Sequence, residues 1–147
     1  MVQVFINSRT EFAVINLDKV VYLKADGNYT DFYFNDGKTK THLSTLSSFL
    51  TDIEIAYAES NIPSPFFRMG RSYIVNTEYV ASVNILNGVL TFESEIIKPI
   101  ISNKSNLRSL RDFLVEKYKS HIHNLYIFRQ DFAVSLFFTL DRQEEKS

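Results

Sequence analysis

Cysteine is absent from the 147 residues. Disulfides, thiolate nucleophiles and cysteine-based zinc sites are therefore excluded. Tryptophan is absent too, and glycine and proline occur only four and three times, so each one present is a marked break. Neither charge is in excess: 16 Lys and Arg face 17 Asp and Glu, for a formal net charge of -1. That balance excludes a polybasic protein that holds nucleic acid by bulk charge, while leaving room for a local basic patch. The start, MVQVFINSRTEF, lacks the basic-then-apolar pattern of a signal peptide. A cytoplasmic location is the expectation.

Enzyme signatures are missing as well. No phosphate loop, dinucleotide fingerprint, His-Glu helix motif or Gly-x-Ser-x-Gly elbow occurs. Asp26-Gly27-Asn28 lacks the repeated acidic ligands of a calcium loop and reads as a turn. His42, His121 and His123 have no further ligands around them in sequence, and Glu93 and Glu95 have no acid/base partner. No catalytic residue, metal, cofactor or small-molecule substrate is therefore nominated, and the chain is not expected to be an enzyme.

What is present is aromatic. Thirteen Phe and eight Tyr bring aromatics to 14%, which favours strands. The length suits one domain with its own core. Residues 2–6, 11–17, 20–25, 29–34 and 38–43 read as strands, with turns at Asp26-Gly27-Asn28 and Asn35-Asp36-Gly37. Ser44 reads as the cap of a short helix near 44–57, with Leu46, Phe49, Leu50 and Ile53 at helical spacing. Asn61 to Pro65 ends it. Strand character returns around 66–69, 72–75, 79–86 and 89–92, with Asn87-Gly88 as a hairpin turn, and Ile96 to Ile101 reads as a final core strand. Leu107, Leu110, Leu114 and Tyr118 mark a C-terminal helix near 102–119. No internal repeat is apparent. Phe5, Val14, Ile15, Val20, Leu23, Phe32, Phe34, Leu46, Phe49, Phe67, Ile74, Val80, Val83, Leu90, Phe92, Ile100, Leu107 and Leu110 are assigned to the core.

Residues 119–147 differ in character. Their apolar centre, LYIFRQDFAVSLFFTL, is interrupted by Arg129 and Asp131 and is short for a bilayer span. It reads either as an element packed on the main domain or as a dimer interface or membrane-surface segment.

One stretch carries recognition chemistry. In Phe66-Phe67-Arg68-Met69-Gly70-Arg71-Ser72-Tyr73-Ile74-Val75-Asn76, two arginines sit three apart at the start of an apolar strand. A guanidinium fork suits phosphate or a guanine edge, but also a surface ion pair.

Four ordered blocks give this stretch its context. LDKVVYLKADGNYTDFYFNDGK, LSTLSSF, FFRMGRSYIVNTEYVASV and KPIISNKSNLRSL together resemble the LytTR family of DNA-binding domains of bacterial transcription regulators, from about Ile15 to Leu114. The resemblance implies a mainly β fold, an elongated arrangement of small antiparallel sheets. It also implies three loops entering successive major grooves of double-stranded DNA, at paired direct repeats. The first loop would present Asn28 and Tyr29. The second would present Arg71, with Arg68 and Ser72 beside it. The third would present Lys104, with Asn103 and Ser105 beside it; IISNKSN departs from the usual Ser-Arg or Ser-Lys string, so Asn103 and Lys104 both stand as candidates. Lys38, Lys40 and Arg108, with the amides of the last helix, are candidates for phosphate contacts.

The expected organisation is a DNA-binding domain over 1–118 and a C-terminal extension over 119–147. The expected partners are double-stranded DNA, a second copy on DNA, and an upstream sensor or partner protein. With the resemblance starting near Ile15, no length remains for a preceding receiver domain, so a stand-alone regulator or a piece of a longer protein is expected. The alternative is the same fold used as a protein-interaction module without DNA.

Overall fold

The structure, a computed structural model, describes residues 1–119. Met1–Arg111 form one compact unit. Residues 120–147 lie outside the described region, and with them the expectations for the tail and for His121 and His123. The described elements run β1 (Gln3–Asn7), β2 (Phe12–Asn16), β3 (Val20–Asp26), β4 (Tyr29–Phe34), β5 (Thr39–Leu43), α1 (Leu46–Glu59), β6 (Phe66–Met69), β7 (Tyr73–Asn76), β8 (Val80–Asn84), β9 (Val89–Phe92), β10 (Ile100–Ile101) and α2 (Lys104–Lys117). The strands form three antiparallel sheets: β1-β2, β10-β9-β8 and the central β5-β4-β3-β7-β6. The mainly β expectation, with small antiparallel sheets and two helices, holds.

Both faces of the central sheet are covered. On one, Leu23, Phe32, Phe66 and Ile74 share a buried cluster with Leu46, Phe49, Ile53 and Tyr57 of α1 and with Val2, Val4, Ile15 and Leu17. On the other, Tyr22 stacks on Tyr33 at 4.2 Å and on Phe92 of the three-stranded sheet at 5.6 Å between ring centroids. Such ring pairs add to the gain from burying area alone.

The helices start slightly inside their expected bounds because side chains define the ends. Thr45, rather than Ser44, caps α1: its hydroxyl accepts from Ser48 N at 3.2 Å. Asn103 caps α2, its Oδ1 accepting from Asn106 N at 2.8 Å.

Two expectations are corrected. Phe5 and Val14, assigned to the core, are 61% and 51% exposed. They are cross-strand partners in β1-β2, and the pleat turns their neighbours Val4 and Ile15, also partners, into the core instead. Only Ile100 and Ile101 of the expected 96–101 strand pair with β9. Before them Ser94 turns the chain, its carbonyl accepting from Ile97 N and its hydroxyl from Ile96 N, and Pro99 has no N–H for a ladder. A local capping device is used twice. Asn16 and Asn76 each end a strand and accept from the amide two residues on, opening a single 3-10 turn that leads into a valine-started strand. Asn-x-Asp/Glu-x-Val is its signature, at Asn16–Val20 and Asn76–Val80.

Burial, helped by the charges of Asp18 and Glu78, pushes the Tyr57 hydroxyl up from 10 to about 12. Burial also raises Tyr22. A phenol that ionises later when folded stabilises the fold below its unfolded pKa, and that contribution is lost as pH rises through the folded value. Stability to urea should therefore fall between pH 10 and about 12. In Tyr57→Phe that alkaline fall should be shallower; an unchanged pH profile would contradict the assignment.

Candidate functional site

Strand direction decides which loops meet. β3 ends at Asp26, opposite Tyr29. Between them, Gly27 takes φ +61 and Asn28 does not take a positive φ, as in a two-residue turn with glycine first. β7 runs antiparallel to β3 and begins with Tyr73 opposite Lys24. The β6–β7 turn, Gly70 to Ser72, therefore leaves the same end of the sheet. The two turns are tied directly, Ala25 N donating to the Ser72 carbonyl at 2.8 Å. β5 also arrives at this end, with Leu43 opposite Tyr29, and α1 starts just beyond it.

The third loop joins them through two contacts. Ser102 N donates to the Gly88 carbonyl at 3.1 Å, which sets the start of α2 at the β8–β9 turn. The Asn106 carboxamide lies against Gly70: a Cβ there would meet its Nδ2 at 2.5 Å. Asn106 Nδ2 also donates to Ser102 Oγ at 3.2 Å. Three turns from separate parts of the chain thus share one end of the central sheet.

Of the eight residues singled out in sequence, Asn28, Tyr29, Arg71, Ser72, Asn103, Lys104 and Ser105 are exposed at these turns. Among the described residues, the Arg71 guanidinium, the Lys104 ammonium and the side chains of Asn28 and Tyr29 have no partner. Asn103 is the exception, its carboxamide oxygen being engaged as the helix cap. The cap leaves its amide NH2 group free to donate.

Arg68 is placed differently. Its Nε donates to the Gly70 carbonyl at 2.9 Å, its Nη2 to the Arg71 carbonyl at 3.1 Å and its Nη1 to Ser47 Oγ at 3.2 Å. Three charge-assisted bonds thus hold the backbone of the second turn and anchor it to the first turn of α1. Sequence reasoning put Arg71 first and Arg68 beside it in the same DNA-contacting set, and it missed Ser47, Asn106 and Ser102 as organisers. Only the Asn103-x-x-Asn106 pattern offered a signal, that of a helix cap.

The cations cluster unevenly. Arg71, Lys104 and Arg108, the last one helical turn beyond Lys104, are exposed at the shared end, with Lys24 nearby on β3. Lys38 lies at the opposite end, in the β4–β5 turn. Six residues of β4 separate the two ends by roughly 17 Å. Lys40 sits between, opposite Phe32. Neither belongs with the three turns.

A cleft of about 490 Å³ opens beside the central sheet; its titratable lining is Tyr22, Tyr33, Tyr73, Lys24 and Lys98. Among the described residues no carboxylate or histidine faces it. Among the described residues no group of three His, Asp or Glu could hold a metal ion, and no helix is long and apolar enough to cross a membrane.

Comparison with known proteins points to one family. The profile of the LytTr DNA-binding domain family matches residues 10–115. A solved LytTr DNA-binding domain from Bacillus cereus, described as part of a methyl-accepting/DNA response regulator, superposes with a TM-score of 0.54. It is 21% identical, and the match covers 78% of this chain and 97% of that one. A search of curated proteins finds no match.

Proposed function

The chain belongs to the LytTr family of DNA-binding domains, and from that premise we propose that it is a transcription regulator whose three clustered turns read double-stranded DNA in the major groove. The observation that carries this reading is the single sheet end at which Arg71, Lys104, Asn28 and Tyr29 stand exposed and unpaired. Arg71 suits guanine O6 and N7, Asn28 suits adenine N6 and N7, and Tyr29 suits a phosphate or a thymine methyl. Ser72, Ser105 and the remaining donors of Asn103 would contact phosphate. Arg68 acts from behind, by holding the second turn.

Two copies are proposed to bind paired direct repeats, with no cofactor and no catalytic step, in the cytoplasm. The role fits the output domain of a response regulator, with a sensor or partner protein upstream. The domain is assigned to 1–118, and 119–147 to an extension for packing, dimerisation or partner contact.

Selection from random duplex DNA tests this. Enrichment of short repeats about one helical turn apart is expected. The winner's log affinity should fall with log salt at a slope of about -2 to -4, since each phosphate contact contributes about -0.9. A second reading has its own observation: Phe5 and Phe12 stack at 6.2 Å on the exposed outer face of β1-β2, a surface suited to a protein contact. Absence of any enriched sequence would favour that module instead.

A further inference from the structure

The second and third turns are interlocked by one side chain. Gly70 takes φ +66 and leaves room for the Asn106 carboxamide, which no residue with a Cβ would. The same carboxamide donates to Ser102 Oγ, and the Asn106 backbone N–H is held by Asn103. Asn106 therefore touches the turn that carries Arg71 and the turn that carries Lys104, yet its side chain is half-buried and turned to the protein.

We propose that Asn106 is a positioning residue that fixes Arg71 and Lys104 relative to each other, and so sets which base combinations the two turns read together. This rests on the DNA reading above. Two loops with independent freedom could each still find phosphate, because phosphates recur along every duplex. Reading bases is less forgiving: both side chains must arrive in register, and loop ordering on binding costs free energy. Loss of the interlock should therefore weaken preferred sites more than arbitrary ones. Arg68 cannot substitute for it, since two of its bonds stay within the second turn and the third goes to Ser47 of α1, none to the third turn.

The test uses the full chain, Asn106→Ala and Ser102→Ala, the second removing the acceptor without altering the helix. Alanine is the better helix former, so Asn106→Ala should not melt α2. Without DNA, the backbone amide resonances of Gly70 to Ser72 should shift in Asn106→Ala, an observation across the interlock that needs no ligand. With DNA, affinity for the preferred duplex should fall about tenfold, a size expected for coupled neighbours. Affinity for a random-sequence duplex should stay unchanged. Arg71→Ala should then cost less in the Asn106→Ala background than alone. Ser102→Ala should move the same quantities in the same direction by less.

Unaltered base preference in Asn106→Ala, or losses with Arg71→Ala that simply add, would overturn the proposal. So would equal losses on both duplexes with a lowered melting temperature, which mark a merely structural role. Failure of the unaltered chain to prefer any duplex would overturn the DNA reading itself. The ligand-free amide shifts keep that failure distinct from a failure of the interlock.

Discussion

Arg71→Ala should lose about 1–3 kcal/mol of affinity for the preferred duplex, roughly five- to 150-fold, and relax the preference at one base position. Arg71 is exposed on a turn whose backbone Arg68 holds through two carbonyls, so its loss leaves the loop in place. Arg71→Lys separates the two uses of the side chain. Lysine keeps the charge but loses the planar fork. A phosphate contact would survive in Arg71→Lys; a guanine contact would not, and the variant would bind nearly as weakly as Arg71→Ala. Arg68→Ala is a different experiment, because it releases the turn itself. Anisotropy titration of the three variants against preferred and scrambled duplexes distinguishes these cases. An Arg71→Ala protein with unaltered affinity and preference would remove Arg71 from the interface.

The largest loss of stability is expected at Phe32. Its side chain is fully buried on β4, an inner strand of the central sheet. Its ring stands edge-on to Phe49 of α1 at 4.9 Å and to His42 of β5 at 5.4 Å. Phe32→Ala deletes the ring and leaves a cavity between sheet and helix, at about 3–5 kcal/mol. A domain of this size holds only about 5–15 kcal/mol. The urea midpoint should therefore drop by about a fifth or more, with the slope unchanged. Phe5→Ala is the control, since 61% of that residue is already in water. Equal losses at the two positions would contradict the assignment of the core.

The contrast between Phe32 and Phe5 also shows where sequence reading stops. Phe32 was legible because its strand is flanked by glycine turns, which fix the hairpin and hence its faces. Gly37 and Gly88 take positive φ at the turns expected of Asp-Gly and Asn-Gly. The β1-β2 pair carries apolar residues on both faces, Val4 and Ile15 on one and Phe5, Phe12 and Val14 on the other. With no alternation in VFI or FAVI, which face meets α1 is decided only by packing.

The site divides in the same way. Its turns and exposed residue types were readable from local sequence and the family blocks. The inward engagement of Arg68 was not, because one of its partners is Ser47, 21 positions earlier. The irrelevance of Lys38 to the shared end follows from strand direction, and composition carries no direction. Ile96 to Ile101 misled for a local reason: an apolar run with Pro99 inside cannot keep a full ladder.

The central claim is that one end of the five-stranded sheet is the DNA-reading face. Titrating the isotope-labelled full chain with its preferred duplex, and following each backbone amide, tests it most directly. The account predicts that the changes concentrate at Gly27 to Tyr29, Gly70 to Ser72 and Ser102 to Ser105, and spare Asn35 to Lys38 and the outer face of β1-β2. Changes centred on that hairpin or on Phe5 and Phe12, with the three turns unmoved, would contradict it.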